Sequence, residues 1–416
     1  MENNKTPSIR FKGFIDPWEQ RKLGDLLASL QNNTLSRADL SSESGVAKNV
    51  HYGDVLTKFG EVLDISKEKL PMISDKSVLT KYKASFLQNG DVIVADTAED
   101  STVGKCSEIA GLNGEVVLSG LHTIPYRPME KFATGYLGYY LNSGTYHNQL
   151  IPLMQGIKVT SISRTAIQDT KIVYPKSIDE QALIGNYFQS LDNLITLHQR
   201  KYDKLLNIKK SMLEKMFPKN GSNIPEIRFK GFTDPWEQRK AKELFVSTAD
   251  KGYPELPVLS ATQNRGMIRR DENSINIFHD KKNEAGYKRV LPGQFVIHLR
   301  SFQGGFAHSA IEGITSPAYT VFGFSEPEKH DSEYWKYVFT SKSFIRRLET
   351  VTYGIRDGRS ISYDEFLTLG FAYPSKAEQT AIAQYLDKLS DLITLHQREL
   401  EKLQNIKKSM LEKMFV

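Results

Sequence analysis

The chain has 416 residues, 39% of them hydrophobic, which is enough for folded cores and a length that suggests two or three domains. Its 55 Lys and Arg against 49 Asp and Glu leave a formal charge of +6, too little for a basic nucleic-acid-binding tail, yet compatible with local basic surfaces. Cys106 is the one cysteine, so an internal disulfide is excluded, and the nearest histidines give no zinc-ligand spacing. Residues 1–13 lack the apolar stretch of a secretory signal, and no later segment approaches 18 uninterrupted apolar residues. A cytoplasmic protein that meets no membrane is expected.

A leader comes first. Residues 9–22 read IRFKGFIDPWEQRK, and residues 227–240 repeat them with a single change, Ile15 against Thr233. The insert that follows, 23–174, alternates short apolar runs with Gly, Asn and Asp. Strands are expected at 92–95, 115–118 and 171–174 and a helix at 136–143. Candidate nucleic-acid contacts in it are Lys58, Lys81, Lys83, Lys105, His122, Lys158 and Arg164. The cluster Tyr136, Tyr139, Tyr140 and Tyr146 reads as core rather than as a stacking platform.

After Pro175, Ser177 and Glu180 form a capping-box pattern that opens a long helix. Apolar or seam positions then recur at a 4-3 spacing through Ile184, Phe188, Leu191, Ile195, His198, Tyr202, Leu205, Lys209, Met212 and Met216. Such heptads require a partner stripe. One exists in the same chain, because 194–217 and 392–415 share LITLHQR and NIKKSMLEKMF, differing only opposite Lys201, Tyr202, Asp203 and Leu206. The second stripe runs through Ile382, Leu386, Leu389, Ile393, His396, Leu400, Leu403, Lys407, Met410 and Met414, after the cap Ser375 and Glu378. An antiparallel pair of rods roughly 55–60 Å long is expected, a spacer with a pseudo-twofold axis. His198 and His396 fit seam hydrogen bonding better than metal ligation. Lys209, Lys210, Lys407 and Lys408 read as a solvated or partner-facing flank.

The second insert, between the repeated leader and Pro374, promises strands at 294–299, 318–324 and 369–373 and a helix at 332–350. It concentrates base: Arg265, Arg269, Arg270, Lys281, Lys282, Lys288, Arg289 and Arg300 lie in one stretch, and Lys336, Lys342, Arg346, Arg347, Arg356 and Arg359 in another. Interleaved Tyr287, Tyr319, Tyr353, Gln303 and His308 supply groups suited to base edges, while arginine serves phosphate and guanine. Fragments of the inserts match each other, among them Gln155-Gly156-Ile157-Lys158 with Tyr353-Gly354-Ile355-Arg356. The fold class is therefore mixed α/β: two globular units and two long antiparallel coiled-coil helices in a tandem repeat. Their expected boundaries are 1–175, 176–217, 218–374 and 375–416.

Catalytic signatures are missing. Ser101-Thr102-Val103-Gly104-Lys105 resembles the end of a phosphate loop, but Glu99 stands where the first glycine belongs and Cys106 where the hydroxyl belongs. Near-identical frames around unlike inserts suit a molecule that shows two equivalent surfaces to two copies of one partner and two different surfaces to something asymmetric.

Tandem leaders of the form FKGFxDPWEQRK, tandem variable units, and helices that start through Tyr174, Pro175, Glu180 and Gln181, or Tyr373, Pro374, Glu378 and Gln379, and end in KKSMLEKMF resemble the specificity subunit of type I restriction and modification systems. The resemblance spans essentially the whole chain. It implies a noncatalytic subunit whose two target recognition domains read a bipartite, asymmetric site in double-stranded DNA. It also implies that the helices space these domains and bind two modification (methyltransferase) subunits, with restriction (translocase and endonuclease) subunits added. S-adenosylmethionine, ATP and Mg would sit on those partners and no cofactor on this chain. The helix positions expected to serve as spacer and subunit interface are Glu180, Gln181, Leu191, Ile195, His198, Leu205 and Met212 in the first copy. Their counterparts are Glu378, Gln379, Leu389, Ile393, His396, Leu403 and Met410. Half-sites about one helical turn apart, roughly 34–36 Å, are expected. Inserting one heptad into both helices should lengthen the nonspecific gap without altering either half-site. Sequencing the methylated sites checks this, and an unchanged gap would count against it. Two other readings remain: a nuclease or methyltransferase in its own right, revived if the purified chain alone cut or modified DNA, and a coiled-coil scaffold, favoured if no sequence-selective binding occurred.

Overall fold

The computed structural model of the chain describes residues 6–219, 222–262, 265–272, 281–297, 305–349, 352–353 and 360–416, the side chains at 352, 353 and 360 excepted. Two compact units emerge. The first comprises residues 1–199 and 398–416, the second residues 200–397. Each unit therefore owns the first part of one long helix and the last part of the other.

In the first unit the end of the leader, Glu19–Lys22, pairs antiparallel with Lys171–Tyr174 just ahead of the long helix, Glu19 opposite Tyr174. This closes the ends of the insert onto each other. Inside it lie a five-stranded sheet in the order Leu27–Ser29, Thr123–Pro128, Val92–Ala95, Cys106–Ala110, Val62–Asp64, and a four-stranded sheet of Val117–Ser119, Ala47–Val50, Met72–Ile73 and Leu40–Ser41. Val92–Ala95 is buried throughout, as expected of a central apolar run covered on both faces. The expected strand at 115–118 starts later, at Val117, because Glu115 is engaged with Lys48 and the Asn113 amide.

The expected helix near 136 is two helices, Tyr136–Leu141 and Gly144–Leu150, separated where Ser143 turns to cap the second by accepting from the Tyr146 amide at 3.3 Å. Tyr136, Tyr139, Tyr140 and Tyr146 are all buried, as core. Beneath this pair Glu108, 2% exposed, accepts from the Gly135 and Gly138 amides at 2.6 and 2.9 Å. Burial pushes its carboxyl up to about 7 against these amides. The folded chain therefore keeps a proton that the unfolded one releases from about pH 4.5. The stability from this group is present below that range and lost as pH rises through 7, about 3 kcal/mol in all. Glu108→Gln should flatten the stability profile between pH 5 and 7.5, as measured by denaturant midpoints. An unchanged slope would refute this.

The second unit repeats the plan with different contents. Glu237–Lys240 pairs with Gly370–Tyr373, Glu237 opposite Tyr373. A four-stranded sheet runs Phe245–Thr248, Thr320–Phe324, Phe295–Ile297, Ala307–His308. Two further strand pairs join Leu259–Thr262 to Gly266–Arg269 and Lys288–Val290 to Gly313–Thr315. The single helix expected at 332–350 is again two, Ser332–Phe339 and Lys342–Glu349. Between them the Ser341 hydroxyl accepts from the Phe344 amide at 3.2 Å while the Thr340 hydroxyl donates to the Lys336 carbonyl at 2.8 Å. Ser and Thr offer the backbone a local alternative to helix continuation.

The long helices are Ile178–Lys215 and Lys376–Lys413, 38 residues each. Every position of both 4-3 stripes is buried or half-buried. In the first unit Asp192 meets Lys407 at 2.6 Å and Phe188 stacks on Phe415 at 5.7 Å, so the helix parts run antiparallel. In the second unit Lys209 donates to the Ser390 hydroxyl at 2.7 Å. The seam is wider than a coiled coil alone, since Tyr139 packs on Phe188 and Phe217 on Tyr334. Lys407 also reaches Glu61 at 2.8 Å, and Lys209 lies over the Tyr337 ring. These two lysines are thus internal anchors rather than a solvated flank. No helix among the described residues is long and apolar enough to cross a membrane.

Candidate nucleic-acid interface

In the first unit the residues that could meet a polar ligand gather around His122. The Asn33 amide donates to the Ser119 carbonyl at 2.8 Å and to Asn49 Oδ1 at 2.7 Å, and Asn32 donates to the Gly120 carbonyl at 3.2 Å. A Cβ at Gly120 would come within 2.7 Å of Asn49 Nδ2, so the loop is fixed by contacts that only glycine allows. The following turn holds His122 at φ 55°, the one non-glycine residue with positive φ among the described residues. Such strain, of order 1–3 kcal/mol, persists where surroundings enforce it and often marks a functional position. Its exposed ring lies edge-on to Tyr52 at 5.3 Å, with Nδ1 3.3 Å from the Thr97 hydroxyl and 3.4 Å from Asp96.

Next to it, His51 Nδ1 accepts from the Gly53 amide at 3.2 Å and caps the helix Tyr52–Thr57. Burial lowers the His51 pKa, and the Arg37 charge lowers it further. Arg37 grips Asp54 through two bonds of 2.7 and 2.8 Å. Burial alone would raise the Asp54 carboxyl, but Arg37 outweighs it and holds the group low. Sequence reading missed His51, Tyr52 and Arg37, since no spacing links 37, 51 and 122.

The other first-unit candidates divide. Lys158 is exposed on a loop whose base pairs with Thr97–Ala98, beside Asp96, and Arg164 begins the short helix that follows. Lys58 ends the Tyr52–Thr57 helix, donating to the Lys69 carbonyl at 3.1 Å. Lys105 is half-buried, its amine engaged by the Leu56 carbonyl at 2.8 Å, and burial lowers its pKa.

In the second unit Arg265 and Arg269 stand exposed at one strand pair and Arg346 on the helix Lys342–Glu349. Arg270 has two guanidinium nitrogens shielded from water with no acceptor among the described residues. Arg347 is internal: its guanidinium lies 5.1 Å over the Phe371 ring and donates to the Gly370 carbonyl. His308 is 7% exposed and packs on Phe295 at 5.2 Å, so its ring belongs to the sheet core and cannot meet a base edge in this conformation. Arg300, Gln303, Arg356 and Arg359 lie outside the described residues.

The helix-start residues are internal as well. Glu180 and Gln181 are 1% exposed, Glu378 1% and Gln379 0%. Gln181 accepts from the Ala133 amide at 2.9 Å and donates to the Pro175 carbonyl at 2.8 Å, and Gln379 does the same with Asp331 and Pro374. Half of the first capping box forms, with the Ser177 hydroxyl accepting from the Glu180 amide at 3.3 Å. The carboxylate does not return to the cap, because Arg10 binds it at 2.6 and 2.9 Å and Trp18 Nε1 donates at 3.3 Å. Arg228 holds Glu378 likewise, at 2.8 and 2.6 Å. The leaders are clamps on the helix starts. Leu191, Leu205, Met212, Leu389, Leu403 and Met410 pack inside their own units, while Ile195, His198, Ile393 and His396 are half-buried. Among the apolar side chains the helices leave outside are the repeated pairs Leu194 and Leu197 in one unit, 43 and 45% exposed, and Leu392 and Leu395 in the other, 43 and 51% exposed; Leu183 and Leu206, 44 and 40% exposed, are not repeated.

One frame built twice, carrying two unlike faces, defines a tandem recognition protein. Residues 15–207 match the model of the type I restriction modification DNA specificity domain. A putative type I restriction enzyme MjaX specificity subunit of Methanocaldococcus jannaschii is 22% identical over 95% of this chain and 92% of its own length. The MjaVIII specificity subunit of the same organism is 24% identical over 62% and 64%. The crystal structure of a type I restriction-modification S subunit from M. genitalium superposes with a TM-score of 0.59 over 99% of both chains at 12% identity, which shows the shared fold. These likenesses support a type I restriction-modification specificity subunit, with the DNA specificity domain matched at residues 15–207. Its role is DNA sequence recognition, not catalysis.

Proposed function

We propose that the two units read the two halves of a bipartite, asymmetric DNA site, and that the chain assembles with two modification subunits and with restriction subunits in the cytoplasm. Methyl transfer would use S-adenosylmethionine on the modification subunits, and ATP and Mg would serve the restriction subunits. One observation supports this most: the residues that build the frame are repeated almost unchanged, while the residues around His122 in one unit and those of the Arg265–Arg269 strand pair in the other are not repeated in sequence. Constancy fits a partner met twice. Divergence fits an asymmetric target. The exposed pairs Leu194/Leu197 and Leu392/Leu395 are identical in sequence and suit two copies of one apolar docking surface.

Mapping methylated adenines in a host carrying this chain and its modification subunits tests the reading. Exchanging residues 23–174 for another insert should change one half-site only. Change in both halves, or in neither, would overturn it. Arg346→Ala should weaken binding by about 1–3 kcal/mol at one base pair if Arg346 reads a base, or lower the salt slope of binding if it meets a phosphate. Unchanged affinity and slope would remove Arg346 from the face.

A further inference from the structure

Ile157 is 102% exposed, at the tip of a loop that also carries exposed Val159. Burying such a side chain is worth about 1.5–3 kcal/mol, and here an exposed apolar pair stands on a loop whose base is fastened next to the His122 turn. The loop is built to hold it there. Gln155 and Ser161 exchange both backbone hydrogen bonds, at 2.9 and 2.8 Å, closing its base. Gly156 turns with φ 115°, and a Cβ there would come within 2.0 Å of the Val159 carbonyl. Thr160–Ser161 pairs with Thr97–Ala98, and the Ile162 amide donates to the Asp96 carbonyl at 2.9 Å. The Asp96 amide in turn donates to the His122 carbonyl at 3.1 Å, so the finger and the strained His122 turn form one construction. Lys158, exposed beside Ile157, supplies a cation for a phosphate. In sequence the same order of glycine, isoleucine and cation recurs at 354–356.

We infer that Ile157 is an apolar wedge that enters between two stacked base pairs of the first half-site while Lys158 holds the adjoining phosphate. This rests on the proposed reading of DNA by the first unit. Proteins that insert Ile, Leu or Phe between base steps unstack them at a cost of a few kcal/mol per step and gain contact surface from the bent duplex. Here the wedge would fix where along the duplex the His122 turn is presented.

The test uses the full chain with its modification subunits and a duplex carrying the mapped site, with 2-aminopurine placed in turn at each position other than the methylated adenines. Wild type should brighten at one step of the first half-site. Ile157→Ala should abolish that brightening and weaken binding on the order of tenfold, with Ile157→Leu retaining both. Ile157 touches no core, so the thermal midpoint should not move, and Ile15→Ala, at another exposed isoleucine, should behave as wild type. Wild-type brightening and affinity in Ile157→Ala, or lost affinity with the brightening intact, would overturn the wedge and leave recognition by this unit standing. Failure of the wild-type complex to prefer the mapped duplex over a scrambled one would overturn both.

Discussion

Phe415→Ala is expected to destabilise the first unit by about 3–5 kcal/mol, although the substitution lies more than 200 residues from most of what it loosens. The ring is 3% exposed, and it sits 5.7 Å from Phe188, 5.4 Å from Tyr140 and 5.9 Å from Tyr136. It thus closes the junction between the first long helix and the helix pair beneath it. The leader is fastened to the same tail, with the Ile9 amide donating to the Lys413 carbonyl at 2.9 Å. Loss of the ring leaves a cavity bounded by three aromatic side chains and loosens that fastening. Phe217 does the same work in the second unit, 5.6 Å from Tyr334, with the Ile227 amide on the Lys215 carbonyl at 3.0 Å. Hydrogen exchange read by mass spectrometry separates the two. Phe415→Ala should raise exchange in 136–150 and 184–191, and Phe217→Ala in 332–349 and 382–389. Equal loss in both units from either variant would show that the division of the helices between units does not govern their stability.

How far the sequence foretold this can be judged residue by residue. The 4-3 stripes were legible in full, because heptad spacing reports directly which helix face is covered, whatever covers it. That Phe415 belongs to the unit of Tyr136 was not, since the tails around Phe217 and Phe415 are the same string and either could fill either core. Glu180 read as a cap because Ser177 precedes it by three. Its engagement with Arg10 and Trp18 depends on the chain returning across some 170 residues, which no local pattern encodes. Counting base along the second insert marked Arg347 beside Arg265 and Arg346, and His308 was marked as an interleaved group suited to base edges. Strand and helix geometry then divided them, turning His308 and Arg347 inward and the others outward. The His122 face was partly visible, as one histidine among lysines, but its strain and its neighbours His51 and Tyr52 arise only from tertiary closure.

Arg10→Ala should cost about 3–5 kcal/mol, because it strands a carboxylate that is 1% exposed. Glu180 would keep a single donor, the Trp18 indole at 3.3 Å. Removing both charges in Arg10→Ala/Glu180→Gln should recover much of the loss, since the larger part of the penalty is the unpaired buried charge rather than the missing bond. The second unit sharpens the comparison. Glu378 is held by Arg228 in the same way, but the Trp236 indole nitrogen is buried without a hydrogen-bond partner among the described residues. Arg228→Ala leaves Glu378 with no such donor, so it should cost more than Arg10→Ala. Chemical denaturation of the two single variants and their Gln partners reads the order. A smaller loss for Arg228→Ala would show that the leaders do not act by neutralising the helix-start carboxylates.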